Sequence, residues 1–244
     1  MTEHTDTHHD RLSEASTLAD IVTMYPSLAR ELERRDLDYC CGGSASLAEA
    51  CSTRDLDVAT VIAELSAAAS ADSSEAWATM DPTALVDHLA ATHHSYLWAE
   101  LPRLSALLDK VVSVHEERHP ELAEIRTCFE TIRADLEPHL TKEEQILFPM
   151  IRELDETSTV APSLRVSTSG PISVMLREHD TVGDLLRRLR ELTDDYEPPA
   201  DGCGSYQALF AGLKHLEADT HLHIHKENNL LFPAVEQAEH RWAS

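Results

Sequence analysis

Four long stretches of the chain place apolar residues at alternating three- and four-residue steps, the spacing of one buried face on an α-helix. The first runs from about Thr83 to His115 with Leu85, Leu89, Leu97, Leu101, Leu104 and Leu108 inward. The second opens near Pro120, and its stripe is Leu122, Ile125, Phe129, Ile132, Leu136, His139, Glu143, Ile146 and Met150. The third begins at Pro171 and carries Ile172, Met175, His179, Val182, Leu186 and Leu189. The fourth reaches about Phe232 through Leu209, Leu213, Leu216, Thr220, His223, Glu227 and Leu230. Loops rich in Ser, Thr, Pro and Gly, at 155–170 and 193–205, separate the last three. The pattern predicts an all-α four-helix bundle over residues 83–240, with the ionisable residues of the stripes pointing into its middle.

Upstream, shorter helical patterns predict a small domain over 17–71, preceded by a disordered tail (1–16) and followed by a polar linker (72–82). Thr17 caps a helix carrying Leu18, Ile21 and Val22, Pro26 interrupts it, and the pattern resumes with Leu28 and Leu32. A turn follows at Asp38-Tyr-Cys-Cys-Gly-Gly43, then helices opening at Ser46 and Asp57. Cys40 and Cys41 read as an exposed vicinal pair open to redox, metal or group-transfer chemistry. The simpler reading is that they pack and cap the turn, since two thiols are too few for a closed metal site.

Composition agrees with helices: Gly is scarce at 7 of 244 residues and aromatics make up 5%. The net charge of −24, from 44 acids against 20 bases, repels a phosphate backbone or an anionic membrane surface. Nucleic acid and membrane are therefore excluded as expected partners. The polar N-terminus and five cysteines, an odd number, predict a cytoplasmic protein with reduced thiols.

The chemistry lies in a repeat. His139-Leu-Thr-Lys-Glu143 through Leu147-Phe-Pro149 is written again as His223-Ile-His-Lys-Glu227 through Leu231-Phe-Pro233. Each copy sets a histidine and a glutamate four residues apart, on one helix face. His94 and His179 recur at nearly the same interval, so the bundle reads as two copies of a helix pair, each giving one histidine from its first helix and an H-x-x-x-E from its second. Four imidazoles and two carboxylates left empty in an apolar interior would cost several kcal/mol per ion. Two cations, bridged by the glutamates and each ended by two histidines, remove that cost, and the nitrogen and oxygen donors with open positions favour iron. Periodicity leaves the choice between His93 and His94 close. His221 and His225 are expected to face outward, and His88, His115, His119, His215 and His240 to lie at the surface or its boundary. Asp135 and Glu178 are candidates for orienting ligands or carrying protons. Pro138 is expected to kink its helix, and Pro149 and Pro233 to stop or bend theirs.

Asp38-Tyr-Cys-Cys-Gly-Gly43, Lys142-Glu-Glu-Gln-Ile-Leu-Phe-Pro149, Gly170-Pro-Ile-Ser-Val-Met175 with Glu178-His-Asp180, and Glu227-Asn-Asn-Leu-Leu-Phe-Pro233 resemble the repair-of-iron-centres proteins. The resemblance covers nearly the whole chain from about residue 17. It implies a small ScdA-type domain joined to a hemerythrin-like bundle that holds two non-haem iron ions with an oxo or hydroxo bridge. It selects His94, His139, Glu143, His179, His223 and Glu227 as ligands, and His94 over His93. It also matches Cys40 and Cys41 to the family's cysteine pair. Pro138 and the extended polar N-terminus depart from the pattern, and neither is a ligand.

The implied function is repair of iron–sulfur clusters damaged by nitrosative or oxidative stress, by iron donation or by nitric oxide chemistry at the di-iron site, with a nitric oxide reductase-type activity left open. Iron–sulfur proteins are then the clients and NO or O2 the small ligands. A homodimer is allowed by the linker. The alternative is a hemerythrin-like sensor or store that binds O2 or NO without turnover, and a structural zinc bundle is a third reading.

Overall fold

A computed structural model describes residues 12–69, 76–156 and 167–243. Residues 1–11 of the expected tail, with His4, His8 and His9, lie outside them, as do residues 70–75 and most of the 155–170 loop; the expected tail's last residues instead belong to the small domain, the Glu14 and Ser16 carbonyls accepting from the Ala48 and Leu47 amides at 3.0 and 2.9 Å. The chain divides after Ala78 into two units. Among the described residues there are helices and no strand, so the all-α expectation holds. No described helix is long and apolar enough to cross a membrane.

The first unit contains α1 (Leu18–Met24), α2 (Ala29–Glu33), α3 (Leu47–Thr53) and α4 (Val58–Ala68). Thr17 accepts from the Asp20 amide to cap α1, Ser46 and Glu49 form a capping box on α3, and Asp57 caps α4 through Thr60. Leu18, Ile21, Val22, Leu28, Leu32, Leu47 and Leu65 form the buried interior.

The second unit is the bundle. Its first helix is α5 (Pro82–Leu89), a π-turn over Ala90–His94, then α6 (Ser95–His115). Its second is α7 (Leu122–Lys142), a π-turn over Glu143–Leu147, then α8 (Phe148–Glu156). The third, α9 (Ser169–Leu192), is α-helical throughout. The fourth is α10 (Gly204–Lys226), a π-turn over Glu227–Leu231, then α11 (Phe232–Ala243). Helix α7 lies against α9 and α6, and α10 against α6 and α9. A leucine-rich core including Leu101, Leu108, Phe129, Ile132, Leu186 and Leu213 fills the half of the bundle away from the π-turns. Gly212 lets α10 come close to α6, since a Cβ there would meet Leu104 Cδ2 at 2.6 Å.

The π-turns correct several expectations. Each adds one residue to a turn, so the stripe shifts by one position beyond it. Ile146 is exposed and Met150 half-buried, while Leu147 and Ile151 are buried in their place. Leu231 likewise replaces Leu230. Pro149 and Pro233 do not stop their helices: each is the second residue of the α-segment that resumes after a π-turn, where the regular ladder is already interrupted. His225, expected outside, is buried. So is His115, whose Nε2 lies 3.2 Å from Cys203 Sγ. Pro138 sits inside α7 without ending it.

Candidate metal centre

At the π-turn level the four helices aim six side chains at one another. His94, Glu143, His223 and Glu227 form one group of converging donor atoms and His139, Glu143, His179 and Glu227 a second, all buried. The two glutamates belong to both groups. Glu143 Oε2 lies 3.4 Å from His94 Nε2 and 3.3 Å from His139 Nε2. Glu227 turns one oxygen to each group, Oε2 at 3.2 Å from His179 Nε2 and Oε1 at 3.2 Å from His223 Nε2.

These atoms fit a cation better than they fit each other. All four carboxylate oxygens, and Nε2 of His94 and His223, are buried without a hydrogen-bond partner among the described residues, an arrangement native interiors avoid. Burial and the Glu227 charge push Glu143 up, but the imidazoles of His139 and His94 win and hold it below the usual carboxylate range. Glu227 is held further down, against its burial, by His223 and His179. Burial disfavours protonated His139, yet the carboxylates, Glu143 first, raise it to about 9. Burial lowers His223 in spite of Glu227. Imidazole and carboxylate donors with no thiolate suit iron, manganese or zinc.

Three of the four imidazoles are oriented through Nδ1. His94 Nδ1 meets Glu144 Oε1 at 3.0 Å, and the Trp98 indole N–H donates to the same oxygen at 2.9 Å. His139 Nδ1 meets Glu178 Oε2 at 2.9 Å, while Lys142 Nζ donates to the other oxygen. His179 Nδ1 meets Asn228 Oδ1 at 2.7 Å. Such contacts fix the tautomer that leaves Nε2 free to bind. The rings of Phe148 and Phe232 stack on His94 and His179 at 5.1 and 6.1 Å, so each Leu-Phe-Pro ending buttresses a histidine of the neighbouring helix.

His93 is also buried, but its nitrogens are committed elsewhere. Lys226 Nζ donates to His93 Nε2 at 2.9 Å and to His88 Nε2 at 2.9 Å, leaving His93 Nδ1 to donate to Asp219 Oδ1 at 3.0 Å. His94 therefore joins the cluster and His93 does not, a choice periodicity leaves open. Asp135 is exposed on the outer face of α7 and makes no described contact with the cluster, so nothing in its position supports the expected role. Glu144, Asn228, Trp98, Lys226 and Asp219 escaped the sequence reading. The available signal was the polar residue that follows each motif glutamate.

Cys40 and Cys41 lie in the first unit. Cys40 is buried, contrary to expectation, and Cys41 half-buried. Asp38 Oδ1 accepts from both backbone amides at 3.0 Å and from the Cys40 thiol at 3.1 Å. Gly42 is required by the turn, because a Cβ would meet the Asp38 carbonyl oxygen at 2.9 Å. The contact with Cys41, then burial, then the Asp38 charge raise the Cys40 thiol well above its ordinary value.

A buried cluster of histidines and glutamates inside a four-helix bundle defines a metal-binding bundle of the hemerythrin class, and comparison with known proteins agrees. Residues 85–235 match the hemerythrin HHE cation binding domain, and residues 14–69 match the ScdA N-terminal domain, described as a domain of unknown function. The chain is 34% identical over 216 residues to the iron-sulfur cluster repair protein YtfE of Enterobacter sp. (strain 638), covering 88% of this chain and 94% of that one. It is 32% identical, at the same coverage, to the YtfE protein of Citrobacter koseri. This chain belongs to the YtfE-type family of hemerythrin-domain proteins.

Proposed function

We propose that this protein repairs iron–sulfur clusters damaged by nitrosative or oxidative stress, using two non-haem iron ions held by His94, His139, Glu143, His179, His223 and Glu227. The observation that carries the reading is the convergence of these six buried side chains with unsatisfied carboxylate oxygens between two histidine pairs. The relatives, named iron-sulfur cluster repair proteins, support the same reading. Glu227, with one oxygen toward each pair, and Glu143, with Oε2 near both His94 and His139, would be the carboxylates shared by the two ions. Bound iron supplies a redox-active Lewis acid and a transferable ion. The protein's own residues orient it: Glu144, Glu178 and Asn228 hold the imidazoles, and Phe148 and Phe232 cover the site. Five free cysteines support a reducing, cytoplasmic setting.

The test is restoration of a nitric-oxide-damaged iron–sulfur protein by purified, iron-loaded protein. Wild type is expected to restore cluster absorbance and the His223→Ala variant to fail; equal restoration by both would sink the proposal. Mixing the reduced protein with NO separates the modes of action, since release of N2O marks reduction and a stable nitrosyl adduct marks sensing.

A further inference from the structure

The bundle is a duplicated unit, and the duplication is broken at one place that matters to the metal. In one half, Glu178 precedes His179; it accepts from His139 Nδ1 at 2.9 Å and pairs with Lys142. The corresponding position of the other half, the residue before His94, is His93. The corresponding lysine is Lys226, and it reaches His93 as Lys142 reaches Glu178. The counterpart of His139 is His223. His93 meets it only face to face, with ring centroids 5.4 Å apart and planes within 7°. The Nδ1 of His223 has no hydrogen-bond partner among the described residues. The other cross-contact survives the duplication, Glu144 serving His94 as Asn228 serves His179.

We propose that the two cation positions are unequal, and that the one held by His94 and His223 is the weaker and the first to release its ion, because His93 stands where the repeat places Glu178. The inference rests on the six-ligand reading above. A hydrogen-bonded carboxylate raises ligand basicity and fixes the ring, and losing such a partner typically lowers metal affinity about 10–100-fold. Stacking on His93, itself pinned between Lys226 and Asp219, fixes the plane of His223 and adds nothing to the basicity of Nε2. One position is thereby suited to giving up its ion and the other to keeping one.

The test uses the full chain loaded anaerobically with two equivalents of ferrous iron, then mixed with excess chromogenic ferrous chelator. Release is expected in two phases of equal amplitude whose rates differ by about tenfold or more. His223→Ala removes the fast phase and leaves the slow one. His93→Glu, which restores the repeat's carboxylate beside Lys226, slows the fast phase toward the slow one. Asn228→Leu, which strips His179 of its partner, accelerates the slow phase and serves as the check should His93→Glu fold poorly by circular dichroism. A wild type that binds two ions and releases them in one phase overturns the inference alone, as does a fast phase that survives His223→Ala. A chain that binds no iron overturns the six-ligand reading itself.

Discussion

His139 Nε2 lies 3.2 Å from His179 Nε2, although the two residues come from different helices and 40 positions apart. Two nitrogens facing each other at that distance share at most one proton, whereas neighbouring ligands about 2.1 Å from one cation sit about 3 Å apart. The pair is spaced as two ligands of a common ion, and the imidazole–carboxylate separations around Glu143 and Glu227 fall in the same range.

The two glutamates also hold the interior together without a metal. Replacing Glu227 by Leu is expected to destabilise the metal-free protein by about 3–5 kcal/mol, because it takes one partner out of a buried charge cluster and leaves the imidazoles less compensated. The same variant loses the stabilisation that metal gives wild type, about 2.7 kcal/mol at a hundredfold excess over Kd. Thermal melts with and without ferrous iron check both halves. A metal-free Glu227→Leu variant as stable as wild type, or one that ferrous iron stabilises as much as wild type, would contradict the account.

The π-turn over Glu143–Leu147 is what turns Phe148 toward His94, the Phe148 amide bonding back to the Glu143 carbonyl. Deleting the exposed Ile146 removes the residue that the π-turn adds, so the segment returns to α-helical geometry with Leu147 and Phe148 still inward but without the widened turn that begins at Glu143 and sets its carboxylate. Helix content by circular dichroism should be preserved while bound iron falls below half of wild type. Undiminished iron binding would show that the extra residue has no part in the site.

How much of this was legible in the sequence follows from the same turns. The helices, the caps at Thr17, Ser46 and Asp57, and the inward positions of His139, Glu143, His179 and His223 could be read, because 3.6-residue periodicity holds up to these residues. Beyond the histidine–glutamate cluster the period lengthens, so periodicity places Ile146, Met150 and Leu230 one position early. No local sequence rule announces a π-turn, and the three here lie at the level of the histidine–glutamate cluster. His115 and His225 were missed for a related reason: their partners come from other helices or from the turn itself.

The thiols should differ in reactivity. Cys203 is exposed at the start of α10, where the Tyr206 amide, then that of Ser205, draw its thiol below the ordinary value against a small cost of burial. Cys40 is raised and buried. Timed alkylation at pH 7.5 (about one unit below an ordinary thiol) read by mass spectrometry should label Cys203 well before Cys40. The reverse order would contradict both placements.

His119 gives a pH signature remote from the site. Its imidazole meets Glu121 at 2.9 Å and Asp201 at 3.0 Å, and these carboxylates, Glu121 first, raise it above 6.5. The contact therefore contributes to stability below the unfolded value near 6.5 and is lost as pH rises through the higher folded value. An NMR titration should place the His119 midpoint above 6.5, and Asp201→Asn should bring it down. A wild-type midpoint at or below 6.5 would contradict the pairing.

The central claim is that one buried cluster holds two coupled iron ions. Mössbauer spectroscopy with iron quantification on the native, iron-57-enriched protein measures it most directly. The account predicts two irons per chain and a diamagnetic ground state in the oxidised form at low temperature, from two ferric ions coupled through a shared bridge. A single uncoupled high-spin iron, or a stoichiometry near one that no loading raises, would contradict it.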